Sequence, residues 1–147
     1  VNTIDLGSTN SDVHPPFKRP VGERAGNTAL NKVYGKKVPC EGPAFKAFKT
    51  SGSSILVQME QAAGLTTTDG KKPAQFEIAG TDGIYHPATA EITNRKGGTA
   101  VIRLSSPEVK SPKNARYCWN RFVTPNLVNG NQLPARPFRT DTPVLKK

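Results

Sequence analysis

The pattern of this chain changes at Gly35, and that change limits what it can fold into. Ahead of Gly35 lie a short apolar run, a polar loop and a stretch with helical spacing; beyond it, everything reads as β-structure. Candidate strands are Ala44–Lys49, Ser54–Glu60, Gln75–Ala79, Ile84–His86, Ala88–Ile92, Ala100–Leu104, Ala115–Asn120 and Arg136–Arg139. Between them stand turn clusters: Thr50-Ser51-Gly52, Thr68-Asp69-Gly70, Thr81-Asp82-Gly83, Asn94 to Gly98, and Asn129-Gly130-Asn131. Asp-Gly and Gly-Gly pairs supply the positive φ angles that tight hairpins need. Short strands with turn signals this close predict a sandwich or barrel, and the 13 Gly and 13 Pro fit that pattern. Residues 141–147 read as a tail.

Residues 1–35 read differently. Val1–Leu6 predicts a strand, bounded by the loop signature Gly7-Ser8-Thr9-Asn10-Ser11. A helix is expected over Pro20–Tyr34, with Pro20 at its first position, where a missing N–H costs nothing. Glu23 would lie in the first turn and Lys32 in the last, each on the side the helix dipole favours. Val21, Ala25, Ala29 and Val33, flanked by Leu30 and Tyr34, form one apolar stripe of mostly small residues, suited to close packing on a sheet. Gly35 supplies the left-handed stop. A strand, a loop and a helix make half of an α/β unit, and a lone strand needs the rest of a sheet. The expected fold is therefore an α/β fragment over residues 1–35 followed by an all-β sandwich over residues 36–147. A strand with no lead-in also implies a chain that begins inside something larger.

Several function classes recede on composition. No stretch approaches the ~20 apolar residues that a membrane-spanning helix needs, so a membrane partner is not expected. The net charge of +10 raises nucleic acid as a partner. However, the 21 basic residues divide 10 before residue 75 and 11 after it, never more than two in a row. No RNA-binding or helix-turn-helix pattern accompanies them, so the expectation is a solvated basic surface and no nucleic acid. Cys40 and Cys118 have no metal-ligand spacing, and only His14 and His86 stand beside them, so no metal or other cofactor is expected. One disulfide and two separate thiols both remain open for the two cysteines.

The stretch with catalytic chemistry is Asn10-Ser11-Asp12-Val13-His14-Pro15. It lies between a strand end and a helix, where open α/β sheets place their active-site loops. A carboxylate two residues before a histidine can orient the imidazole and stabilise its protonated form. The ring then serves as general base towards a serine hydroxyl. Pro15 and Pro16 stiffen such a loop.

Ordered islands along the chain carry a family resemblance. Thr3-Ile4-Asp5-Leu6-Gly7, Asp12-Val13-His14-Pro15, Val21-Gly22-Glu23-Arg24 and Tyr34-Gly35 follow one another. Downstream come Gly42-Pro43-Ala44-Phe45-Lys46, Phe76-Glu77-Ile78-Ala79-Gly80 before Asp82-Gly83, Ser106-Pro107-Glu108-Val109 and Arg116-Tyr117-Cys118-Trp119. Asn126-Leu127 and Leu133 to Asp141 close the series. Together they resemble the C-terminal part of bacterial sialate O-acetylesterases, carbohydrate esterases of the SGNH (GDSL-like) hydrolase class. The resemblance implies that residues 1–35 are the last strand, histidine loop and final helix of the hydrolase domain. It implies removal of acetyl groups from sugar hydroxyls, with His14 as general base and Asp12 as its orienter. Asp5 is the alternative orienter or a residue that fixes the loop, and a dyad with a backbone carbonyl holding the ring is a further alternative. The nucleophile and oxyanion hole would lie on an N-terminal SGNH portion, because no Gly-Asp-Ser-like or Gly-x-Ser-x-Gly run occurs here. That portion and an O-acetylated sugar or glycan are the implied partners, and a secreted, periplasmic or lysosome-like compartment is the implied location. The competing expectation is a non-catalytic β-sandwich that binds carbohydrate or serves structure.

Other conspicuous residues read as structural. Ser51, Ser53 and Ser54 sit in a hairpin turn, and His86 has no carboxylate near it in sequence, which makes it a surface histidine. Tyr117 and Trp119 alternate about Cys118, so one face should be core, with sugar stacking the alternative for Trp119. Arg136 and Arg139 suit either structural ion pairs or a clamp on an acidic sugar.

Overall fold

The computed structural model describes residues 1–7, 14 and 17–141. It contains one helix, α1 (Lys18–Lys32), and ten strands: β1 (Ala44–Ser51), β2 (Ser54–Glu60), β3 (Thr66–Thr67), β4 (Phe76–Ala79), β5 (Tyr85–Pro87), β6 (Thr89–Lys96), β7 (Thr99–Ser105), β8 (Asn114–Tyr117), β9 (Leu127–Val128) and β10 (Phe138–Arg139). One four-stranded sheet has the order β1-β2-β7-β6 and a second the order β10-β8-β4-β5, while β3 and β9 pair separately. All pairings are antiparallel.

Period-two alternation builds the core. In β2, Ile55, Val57 and Met59 are fully buried, and in β7, Ala100, Ile102 and Leu104 lie opposite them in register. The second sheet contributes Phe76, Ile78, Ala115, Tyr117 and Phe138 to the same cluster. The Phe76 and Tyr117 rings meet at 4.5 Å between centroids, and Phe45 of β1 stacks on Phe138 of β10 at 4.8 Å. Two antiparallel sheets sharing one core are consistent with the expected β-sandwich.

The strand positions follow the sequence pattern closely, and the departures have local causes. The turn expected over Asn94–Gly98 shrinks to Gly97-Gly98. Asn94, Arg95 and Lys96 continue the ladder opposite Val101, Ala100 and Thr99, after a bulge past Ile92. Gly97, at φ +57°, makes the reversal itself. The strand expected to reach Asn120 stops at Tyr117, because Cys118 turns to φ +52° and donates its N–H to the Gln75 carbonyl. The two-residue strands β3 and β9 are too short to show a period.

Residues 1–35 need two corrections. Val1–Leu6 is not a strand; it turns, with the Leu6 N–H donating to the Thr3 carbonyl at 3.0 Å. A strand exists through its neighbours' hydrogen bonds, and no described strand lies beside this segment. The helix starts two residues earlier than expected, which still leaves Pro20 within the first turn, where N–H groups lack intrahelical partners. Glu23 then falls beyond the first turn and pairs with Arg19 at 2.7 Å. The apolar stripe, expected to press on a sheet, is bare: α1 has no buried residue, Val33 is 73% exposed and the adjoining Tyr34 70%. Gly35 stops the helix at φ +65°, as read.

Stability should therefore reside in the shared core. Ile102→Ala should cost about 2–5 kcal/mol, as large-to-small changes in packed cores do. Val33→Ala should stay within about 0.5 kcal/mol, as exposed substitutions do. Urea denaturation of the two variants measures the contrast.

Candidate functional site

The histidine loop grows out of segment 1–7, which is tied down by polar contacts. Asn2 donates from Nδ2 to the carbonyls of Pro134 and Ala135 at 3.1 and 3.0 Å. Arg24, one turn and a half into α1, reaches back to the same segment. Its Nη1 donates to the Asn2 carbonyl at 3.0 Å and to Asp5 Oδ1 at 2.6 Å, and its Nη2 donates to Asp5 Oδ2 at 2.7 Å. Both carboxylate oxygens of Asp5 are thus engaged by one guanidinium, the planar fork that suits a carboxylate. The bond to Asp5 raises the Arg24 pKa above its ordinary value, against the opposing effect of partial burial. Leu6 is buried beside this clamp.

The far end of α1 has its own tie. Lys32 meets Glu41 at 3.1 Å, and Glu41 also accepts from Arg136 at 3.0 Å and from Gln61 at 2.7 Å. Lys32 is the main reason the Glu41 carboxyl lies below its ordinary pKa. Gly42 follows, packed so closely on Pro134 that a Cβ there would meet the Pro134 carbonyl oxygen at 2.0 Å. A cavity of about 400 Å³ between these ties is lined by Asn2, Thr28, Cys40 and Arg136. A second, of about 390 Å³, lies between segment 1–7 and the stretch Arg121–Val123, with Gly7 and Phe122 in its walls.

Of the sequence-predicted site residues, His14 lies exposed in a bend, and Asp12 lies outside the described residues. Asp5, the alternative orienter, is the residue held by Arg24. Sequence reading noted Arg24 only as a motif position; a carboxylate and a guanidinium separated by the whole loop give no spacing signal.

The remaining conspicuous residues are placed as follows. Ser51 and Ser54 close the β1–β2 hairpin opposite each other. The expectation that His86 lacks a carboxylate fails: its Nδ1 lies 2.7 Å from Glu108 Oε2, a partner 22 residues away that local sequence cannot reveal. Tyr117 is fully buried, whereas Trp119 is 46% exposed, with the Arg139 guanidinium 5.2 Å from its ring centre. Arg136 pairs with Glu41, and Arg139 makes a two-pronged pair with Asp141, so both take the structural-pair reading. Arg116 does likewise with Glu77, at 2.8 and 3.0 Å, while lying 4.0 Å from the Tyr85 ring centre. Cys40 and Cys118 are both free thiols, and burial pushes the Cys118 thiol up to about 11. No described helix is long and apolar enough to cross a membrane.

No protein-family model matches the chain, and no curated protein matches it. Among solved structures, it is similar to the crystal structure of a novel carbohydrate acetylesterase from Xanthomonas citri. The identity is 35% and the TM-score 0.83 over 94% of this chain. The chain spans 31% of that protein's length. In sequence and in fold, the chain is thus related to part of a carbohydrate esterase.

The ladder on the second sheet has a titration signature. Burial first, and then the Asp141 carboxylate, push the Tyr85 phenol from 10.0 up to about 12. A folded pKa above the unfolded one stabilises fully below pH 10, and that contribution is lost as pH rises towards about 12. Asp141, drawn down from 3.8 to about 2 chiefly by Arg139, has the opposite sign: its contribution is present above pH 3.8 and lost as pH falls towards 2. Tyr85→Phe should therefore weaken the alkaline loss of stability between those limits and also reduce the acid limb somewhat, because the Tyr85 hydroxyl is a lesser cause, after Arg139, of the lowered Asp141 pKa. Thermal melts across pH, with tyrosinate absorbance, check both limbs.

Proposed function

We propose that this chain is the C-terminal portion of a serine carbohydrate O-acetylesterase of the sialate O-acetylesterase type, supplying the histidine loop to an N-terminal SGNH hydrolase portion. The similarity to a carbohydrate acetylesterase over 94% of the chain carries this reading. The bare face of α1 supports it: Leu30, Val33 and Tyr34 form an exposed apolar patch, the kind of surface that a protein partner covers. The matched protein is about three times as long as the region matched, which leaves room for such a portion.

In the completed enzyme, the serine hydroxyl of the N-terminal portion attacks the acetyl carbonyl of an O-acetylated sugar. His14 accepts the serine proton and returns it to the leaving sugar oxygen, then repeats both transfers with water. Asp12 orients the ring, since Asp5 is occupied by Arg24. No metal or organic cofactor takes part, and the intact protein works in a secreted, periplasmic or lysosome-like compartment. The second reading is a carbohydrate-binding or structural β-sandwich without catalysis. It is favoured by a buried cluster drawn entirely from Ile55–Phe138, complete without the helix.

Co-expression with an N-terminal SGNH portion decides between them. The expected outcome is a complex stable at micromolar concentration that releases acetate from acetylated sugars, while the chain alone releases none. In the complex, His14→Ala should lower kcat by roughly 10³-fold or more with little change in KM. Asp12→Asn should cost ~10–10³-fold, since orientation would be weakened rather than the base removed. Separate elution of the two pieces, or full activity in His14→Ala, would sink the esterase reading.

A further inference from the structure

We propose that the Asp5–Arg24 pair is a positioning clamp for His14, fixing both ends of the loop that carries it; the inference rests on the role proposed for that histidine. The two residues stand on either side of His14, separated by 19 positions, and meet through two parallel hydrogen bonds of 2.6 and 2.7 Å. Their side chains are only 25% and 15% exposed, so solvent screens the pair less than a rim ion pair. The third contact of Arg24, to the Asn2 carbonyl, extends the clamp, because Asn2 is itself bonded to Pro134 and Ala135 beyond β9. A continuous polar relay therefore runs from the β-part through Asn2 and Arg24 to Asp5 and α1.

Geometry gives this relay its purpose. Ile4 packs against the core cluster and Leu6 is buried, which seats segment 1–7, but α1 buries none of its residues, and the directed contact between segment and helix is the Arg24 fork. A lysine in its place would keep the charge but lose the planar two-point contact that fixes orientation. A general base must stay within hydrogen-bond reach of its proton donor, and displacement by about 1 Å costs ~10²-fold in rate. Asp5 and Arg24 are positioning residues, acting through the loop.

The test uses this chain itself, labelled for NMR relaxation, with no activity required. In the unmodified chain, the His14 amide should have an order parameter near the rigid value of about 0.85. In Asp5→Asn, Arg24→Gln and Arg24→Lys it should fall below about 0.6, while amides of the core strands stay unchanged. The His14 ring-proton line, a single narrow signal at first, should change in all three variants. Asp5→Asn leaves the helix sequence untouched, so it decides the matter even if Arg24→Gln melts α1. An unchanged His14 amide in Asp5→Asn, or a low value in the unmodified chain, overturns the clamp. Either result leaves the esterase reading standing. Conversely, clamp-dependent order in a completed complex that releases no acetate would sink the esterase reading and not the clamp.

Discussion

The rest of this structure depends on the burial of two alternating apolar faces against each other. Ile55, Val57 and Met59 on one central strand lie opposite Leu104, Ile102 and Ala100 on the next, and all six are almost or wholly excluded from water. A sheet face of this kind cannot stand in solvent, so the second sheet, with Phe76, Ile78, Ala115, Tyr117 and Phe138, covers it. Once those faces meet, the hairpins at Gly52 and Gly97 have their register fixed. A one-residue slip would turn every core side chain outward. Even the irregular stretch from Cys118 to Ala135 follows, because Leu127 and Ala135 are buried in the same cluster.

Residues 1–35 are held differently. Ile4 packs against the core cluster and Leu6 is buried, but the ties of the helix and of Asn2 to the β-part are directed polar contacts: Asn2 on two carbonyls and Glu41 shared by Lys32, Arg136 and Gln61, with Arg24 on Asp5 linking segment 1–7 to the helix. Contacts of this type fix direction well and contribute modestly to stability, because each group gives up its bonds to water. An apolar interface would do the reverse. The division leaves Leu30, Val33 and Tyr34 exposed, since polar ties can hold the helix in place without covering it.

The sequence made the β-part legible because alternation and turn chemistry are local. Ser54–Glu60 appears with the expected boundaries, and the other main strands lie within a few residues of them. The misses came where a decision is made at a distance. Cys118 takes a positive φ that its own residue type does not announce, and the Val1–Leu6 segment has strand-like composition without a strand neighbour. The site divides the same way. The Asp12-Val13-His14 motif is local and therefore visible in the sequence, while the role given to it is a proposal. The Asp5–Arg24 and His86–Glu108 pairs join residues 19 and 22 positions apart, and only folding brings them together.

That distinction also bears on the arginines. Among the described residues, five of them, Arg19, Arg24, Arg116, Arg136 and Arg139, end on carboxylates, three with both prongs of the fork. In a chain of net charge +10, basic residues outnumber acidic ones, so an acidic partner is the scarce member of each pair. Asp5, Glu77 and Asp141 are each held by the guanidinium that folding brings to them. The scarcity has a chemical consequence for the histidine loop. A carboxylate gripped on both oxygens by a guanidinium has its negative charge compensated, so it stabilises a protonated imidazole less than an unpaired carboxylate would, although lone pairs remain on both oxygens. That compensation is the reason the proposed orienting role is given to Asp12 rather than to Asp5.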